Sequence, residues 1–171
     1  MTQDRVTSGA MTTERLQKMT LEFLEETFEA HHGIYLDKGT SLLETLEGVT
    51  AEEASVRFSD SCASVAAQIR HVVFYLRVLQ DHIRGKEVGK VDWRKIWEND
   101  GPVSWEEWQT LVGELREEYA SVRRLVSEPQ TWEREDALGG AMALVAHTAY
   151  HLGSVRLSLS VMRTRAEQRY L

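Results

Sequence analysis

The chain has 171 residues, and 20 lysine and arginine residues against 27 aspartate and glutamate residues give it a net charge of −7 at pH 7. This acidic balance argues against nucleic-acid binding, which needs clustered cations, and against docking on an anionic membrane. A single cysteine excludes an internal disulfide and is typical of a reducing compartment, so we expect a cytoplasmic protein. The length predicts one folded domain.

The N-terminal residues 1–12 are polar and show no apolar period, which predicts a disordered tail before a single helical domain over residues 13–171. Apolar spacing from Leu16 to Phe28 predicts a first helix that bends or ends near Gly33. A short apolar cluster follows at residues 42–46, and Gly48 predicts its C-terminal end.

The next two helices have clear boundaries in the sequence. The second is predicted to begin at a cap formed by Asp60 or Ser61 and to end at Gly85. Its apolar stripe comprises Val65, Ile69, Val72, Leu76, Leu79 and Ile83. The third begins with a capping box that joins Ser104 to Glu107. Its predicted stripe comprises Trp105, Trp108, Val112, Leu115, Tyr119, Val122 and Val126.

Residues 137–155 contain no charged side chain and predict a fourth helix that continues to about Arg163. Its glycine, serine, threonine and histidine residues make this stretch too polar for a membrane span, so we expect no membrane insertion and a buried helix instead. Four long helices without strands predict an all-α protein, a four-helix bundle. The long connections at residues 47–60 and 85–102 allow the chain to cross over the bundle.

A pair of histidines in the fourth helix is the first candidate for chemistry. His147 and His151 lie one helical turn apart, project from one face and can bind one metal ion together. The neighbouring positions on that face are mostly small, which leaves room for an ion and a ligand: Gly140, Ala143, Leu144, Ser154 and Ser158. The alternative is that both histidines fill the core as hydrogen-bonded side chains.

His71, in the middle of the second helix, is the best candidate for a third ligand. His82 lies eleven residues further, about 16 Å along the axis, and cannot share an ion with His71. Metalloproteases with the HExxH motif carry a glutamate base where this chain has Thr148, so we exclude that class. Three neutral imidazoles suit Zn²⁺, Ni²⁺ or Fe²⁺ equally well.

Other residues near these helices have two interpretations each. Cys62 is either an activated thiolate at a helix start or a small residue that fills it. Helical geometry places it about 180° from His71, so we expect it to face away from the site and favour the second. The segment with Trp93, Trp97, Trp105 and Trp108 forms either an aromatic wall for a substrate or a cover over the bundle end, which we favour. The adjacent residues His31 and His32 are either proton-transfer groups or an exposed helix end, which we favour.

The sequences QIRHV at residues 68–72 and AHTAYHLG at residues 146–153 resemble the DinB/YfiT-like superfamily, over about residues 16–163. The resemblance implies a four-helix bundle with a crossed connection and a divalent metal held by His71, His147 and His151. It also implies a homodimer. Characterised members include thiol-dependent S-transferases and a mycothiol-dependent maleylpyruvate isomerase.

Three functions remain open from these observations. The first is an enzyme whose metal holds a low-molecular-weight thiol as a thiolate that attacks a small-molecule substrate. The second is a metal-dependent hydrolase, which needs a proton shuttle from His31, His32 or a carboxylate that the sequence does not identify. The third is a non-catalytic module that binds a metal or a ligand, although a closed structural zinc site normally has four protein ligands.

Overall fold

The computed structural model describes residues 12–98, 100–134 and 136–168. Its elements, in chain order, are α1 (Thr13–Phe28), α2 (Leu42–Leu46), α3 (Ala51–Ser55), α4 (Val65–Ile83), α5 (Trp93–Trp97), α6 (Trp105–Ser127), a 3-10 helix (Pro129–Glu133) and α7 (Ala137–Gln168). No strand occurs among these residues, so the predicted all-α class is confirmed. Of the tail predicted at residues 1–12, residues 1–11 lie outside the described residues. The prediction is wrong for Thr12, which caps α1 by accepting a hydrogen bond from Arg15 N.

The four long helices pack around one apolar core. Both α1 and α4 pack on α6 and α7, so α1 lies across the core from α4. Fully buried side chains from all four helices fill this core: Leu24, Phe28, Ile69, Leu76, Leu115, Leu144 and Leu152. Phe28 of α1 stacks on Tyr119 of α6 with ring centroids 4.5 Å apart. No helix in the described part of the chain is long and apolar enough to cross a membrane.

The helix boundaries confirm most of the sequence predictions and correct one of them. Gly48 and Gly85 have positive φ angles of 73° just after α2 and α4, a conformation that glycine adopts without strain. The capping box of Ser104 and Glu107 is present at the start of α6. The predicted cap of α4 at Asp60 or Ser61 is wrong, because Ser64 caps that helix by accepting a hydrogen bond from Ala67 N at 3.1 Å.

A tertiary contact explains why α4 starts so late. The Ser64 N–H donates to the Asp100 carboxylate at 3.2 Å, and Arg57 pairs with the same carboxylate at 2.6 Å. These bonds hold Ser64 outside the helix, with its hydroxyl free to cap. The stripe predicted for α6 is also wrong at its first position, since Trp105 is 65% exposed whereas Trp108 is buried.

Gly140 sets the distance between α7 and α4. A Cβ atom at this position would lie 2.6 Å from Cγ1 of the buried Ile83, whereas a Cβ at Gly139 would meet nothing within 4 Å. We therefore expect Gly140→Ala to lower the free energy of unfolding by about 1–2 kcal/mol through overpacking. Gly139→Ala, the matched control, should raise it by up to about 1 kcal/mol through helix propensity. Denaturant unfolding of both variants measures the difference, and equal effects would contradict this close approach.

Candidate metal centre

Two helices bring three imidazoles to one point. His71 projects from the middle of α4, and His147 and His151 project from successive turns of α7. One ring nitrogen from each histidine lies within 4.8 Å of those of the other two, and His71 Nε2 lies 3.0 Å from His147 Nε2. The three residues selected from the sequence therefore form one cluster. Such a cluster can hold a divalent ion.

The surroundings of the cluster keep its imidazoles uncharged. Burial, with a smaller contribution from His71, lowers the pKa of His147 to about 4. Burial, with smaller contributions from the other two rings, lowers the pKa of His151 to about 3. Burial also lowers the pKa of His71. Near neutral pH all three rings are therefore neutral, which is the form that donates a lone pair to a metal.

Unpaired polar atoms surround the same point. Nδ1 of His71 and Nδ1 of His151 are buried without a hydrogen-bond partner among the described residues, and so are Gln68 Oε1 and Thr148 Oγ1. Core histidines that serve packing alone are expected to satisfy their ring nitrogens, because an unpaired buried polar group costs about 1–3 kcal/mol. The alternative of hydrogen-bonded core histidines therefore fits poorly. A set of three imidazole nitrogens fits a divalent ion such as Zn²⁺, Ni²⁺ or Fe²⁺.

Aromatic rings hold two of the imidazoles in place. Trp97 of α5 stacks on His71 with ring centroids 4.5 Å apart, and Trp93 meets His71 edge-on at 6.1 Å. Tyr75 stacks on His147 with centroids 3.6 Å apart. The short helix α5 thus packs on His71 through Trp93 and Trp97, and the aromatic wall for a substrate stays a prediction. Trp108 instead lies in the core.

An open cavity of about 470 Å³ adjoins the cluster. Its walls comprise Phe58, Cys62, Ala63, Gln68, His71, Trp97, His147, Tyr150, His151, Ser154, Leu157 and Ser158. These lining residues include no aspartate, glutamate, lysine or arginine. A larger cavity of about 880 Å³ lies between α2, α3 and α6, and no histidine lines it. The smaller cavity is therefore the one that can bring a ligand to the imidazoles.

Cys62 lies at this cavity, whereas the three histidines outside the cluster do not. The prediction that Cys62 faces away is wrong, since Cys62 lines the cavity. The helical angle did not apply to it, because α4 begins only at Val65. His31 and His32 are exposed and line neither cavity described above, and His32 Nε2 lies 3.5 Å from Glu25 Oε2. His82 is exposed at the end of α4.

Sequence reasoning did not select Phe58 and oriented Cys62 wrongly, although both line the cavity. Both belong to the connection before α4. Outside a helix, apolar periodicity does not predict which way a side chain points. A usable signal was Ser64, a residue type that favours helix N-caps, since a cap there would have left Cys62 in the connection.

A model of the DinB superfamily matches residues 35–155, a span that includes all three histidines and more than half of the chain. The chain matches no curated protein and no solved structure.

Proposed function

The chain belongs to the DinB superfamily, and we propose that it is a metal-dependent enzyme that transforms a small molecule in the cavity beside His71, His147 and His151. The observation that carries this proposal is the position of three neutral imidazoles in the wall of an open cavity. Catalytic metal sites use three protein ligands and leave a position open, whereas structural sites are closed by four. No fourth histidine, cysteine or carboxylate among the described residues joins this cluster.

We propose a thiol-dependent transfer or isomerisation as the reaction. A divalent ion held by the three histidines would act as a Lewis acid and lower the pKa of a low-molecular-weight thiol that reaches it. No carboxylate base lines the cavity, and a thiol ionised in this way needs none. The chain's own contribution is to bind and orient. Trp97 and Tyr150 offer ring faces to the apolar part of a substrate, and the walls carry no side-chain carboxylate that would repel a thiolate.

The hydrolase and the non-catalytic module have weaker support. A hydrolase needs a proton shuttle beside the metal, and neither His31 nor His32 lines the cavity. A non-catalytic structural site needs closure, whereas this cluster faces open space.

The experiment for this function follows the consumption of an electrophile by the metal-loaded protein. We expect consumption to depend on an added low-molecular-weight thiol, tested as a panel of thiols with uncharged and charged substituents. Trp97→Leu should raise KM by about tenfold, since an aromatic contact of this kind contributes roughly 1.4 kcal/mol. Trp105→Leu, which alters an exposed tryptophan outside this cavity, should leave KM unchanged. No thiol-dependent consumption across the panel would contradict the proposal.

The architecture and assembly belong to the same proposal. We propose that α1, α4, α6 and α7 form the four-helix bundle of this superfamily, with crossover connections at residues 29–64 and 84–104. The fact that α1 and α4 each pack on α6 and α7 supports this arrangement.

The proposed assembly is a homodimer, and its surface is the outer face of α7. Met142 on this face is 62% exposed and Leu138 is 39% exposed, within a run that has no charged residue from residue 137 to residue 155. A two-fold axis would place this stripe against its own copy. We expect Met142→Glu to convert the dimer into a monomer in light scattering, whereas Val88→Glu, at an exposed apolar residue outside this face, should leave the dimer intact. A wild-type monomer would contradict the dimer.

A further inference from the structure

The four unpaired buried atoms around the cluster fall into two pairs. Gln68 precedes His71 by three residues on α4, and Thr148 precedes His151 by three residues on α7. In each pair the polar side chain has an oxygen without a partner among the described residues, and the histidine has an Nδ1 without one. The same arrangement thus occurs on two different helices.

Helix geometry places the two members of each pair next to each other. Side chains three residues apart lie on one face of a helix, with about 5–6 Å between their Cβ atoms. Every side chain also leans toward the N-terminal end of its helix. The His71 ring therefore lies over the turn that holds Gln68, and the His151 ring lies over the turn that holds Thr148.

The amide of Gln68 has a fixed orientation. Gln68 Nε2 donates to the Ala63 carbonyl oxygen at 3.4 Å. Because that carbonyl can only accept, the amide nitrogen must face Ala63, and Oε1 must point to the other side. The side chain is 6% exposed, so bulk water does not supply the missing donor. Gln68 Oε1 is thus an oriented acceptor without a donor.

The hydroxyl of Thr148 departs from the pattern of other helical hydroxyls in this chain. Seven of them donate to the carbonyl oxygen four residues earlier: Thr20, Thr27, Ser55, Thr110, Ser127, Ser154 and Ser158. Thr148 is fully buried and makes no such bond. Its oxygen lone pairs therefore remain free to accept a hydrogen bond.

The tautomer of each histidine decides what these acceptors can bind. His71 Nε2 is the nitrogen that faces the cluster, at 3.0 Å from His147 Nε2, and Nδ1 lies on its far side. The buried unpaired nitrogen of His151 is also Nδ1, and we assign its Nε2 to the cluster by analogy with His71. A neutral imidazole that offers its Nε2 lone pair to an ion carries its proton on Nδ1, and that N–H needs an acceptor.

We propose that Gln68 and Thr148 are positioning residues for the metal centre: Gln68 Oε1 accepts the Nδ1–H of His71, and Thr148 Oγ1 accepts the Nδ1–H of His151, when a divalent ion is bound. This inference rests on the proposed metal site. The two hydrogen bonds pair all four unpaired atoms at once. They also fix both imidazoles in the tautomer and the ring orientation that ligation requires.

The test is the Zn²⁺ affinity of matched variants, measured by competition with a chromophoric chelator. Gln68→Met and Thr148→Val remove the acceptor at nearly constant volume, whereas Gln68→Glu and Thr148→Ser keep an oxygen in place. We expect the first two variants to bind Zn²⁺ about 10–100-fold more weakly than the wild type. The two conservative variants should bind with affinity close to that of the wild type.

Two further readouts separate positioning from a structural role. The melting temperature of the metal-free protein should not fall in Thr148→Val, because the Thr148 oxygen has no hydrogen bond to lose. Gln68→Met loses the bond from Nε2 to the Ala63 carbonyl, so its stability is compared with that of Gln68→Glu, which loses the same bond. In ¹⁵N NMR, the Zn²⁺-loaded wild type should show protected Nδ1–H signals for His71 and His151. Each signal should disappear in the corresponding variant only.

Equal Zn²⁺ affinity in all five proteins would overturn the positioning roles while leaving the metal site intact. A loss of affinity in Thr148→Val that runs in parallel with a loss of metal-free stability would also overturn them, and so would equal affinity in Gln68→Met and Gln68→Glu. A wild type that binds no Zn²⁺ would instead refute the proposed function. The two helices provide independent pairs, so a folding failure in one variant leaves the other pair to decide.

Discussion

Glu26→Gln should lower the free energy of unfolding by roughly 2–4 kcal/mol. Glu26 is fully buried in α1, and its carboxylate accepts hydrogen bonds from the backbone N–H groups of four residues. The donors are His32 at 3.3 Å, Ile34 at 2.9 Å, Tyr35 at 2.9 Å and Leu36 at 2.6 Å. A glutamine would lose the charge and direct its own N–H group at one of these donors.

The free energy of unfolding below pH 4.5 provides a second test of the Glu26 carboxylate. Burial raises the pKa of Glu26, but the four backbone N–H donors outweigh burial and hold the pKa at about 2, below the usual 4.5. As the pH falls from 4.5 toward 2, the unfolded chain binds the proton first, so the stabilisation present above pH 4.5 is lost. The difference between wild type and Glu26→Gln should therefore shrink over that window.

The control for this prediction lies one turn earlier on the same helix. Glu22 is partly exposed and, within the described part of the chain, pairs only with Lys18, at 3.7 Å, so Glu22→Gln should change stability by less than about 0.5 kcal/mol. Urea unfolding at several pH values between 3 and 7 measures both variants. Equal stability of the two variants near neutral pH would contradict the role assigned to Glu26.

Metal binding should produce the second large effect. At a free Zn²⁺ concentration of 1,000 times Kd, binding stabilises the folded protein by about 4 kcal/mol. For a domain of this size, that raises the melting temperature by about 8–16 °C. His151→Ala removes one of three ligands and should abolish the increase. Differential scanning calorimetry with and without Zn²⁺ provides the measurement.

His82→Ala is the matched control for metal stabilisation. His82 is exposed on α4, the same helix that carries His71, and lies outside the cluster. This variant should keep the full increase in melting temperature. An increase that survives in His151→Ala but disappears in His82→Ala would place the metal at a different site.

The fold class and the three histidines could be read from the sequence because both depend on local geometry. A period of three to four residues defines helices without tertiary information. The spacing of His147 and His151 fixes their common face in the same way, and His71 followed from its position in the middle of a helix. All-α structure and the histidine cluster are accordingly the two features that the structure reproduces most closely.

The surroundings of the cluster depend on contacts between distant residues, which periodicity does not describe. The residue at which α4 starts is set by Asp100, which lies 36 residues after Ser64. Because α4 starts after Cys62, that side chain belongs to the connection and faces the cavity. Glu26 lies on the buried side of α1 together with the apolar residues, because backbone N–H groups of a later loop donate hydrogen bonds to its carboxylate. The short helix that carries Trp97 has five residues, too few for a periodic signal.

The central claim is that His71, His147 and His151 bind one divalent ion, and the most direct test is the metal content of the purified, untagged protein. Elemental analysis should find about one metal ion per wild-type chain and almost none in His147→Ala. Incubation with Zn²⁺, Ni²⁺ and Fe²⁺ before analysis covers the case in which purification removes the ion. The absence of metal from the wild type after all three incubations would contradict the metal centre and both enzymatic interpretations.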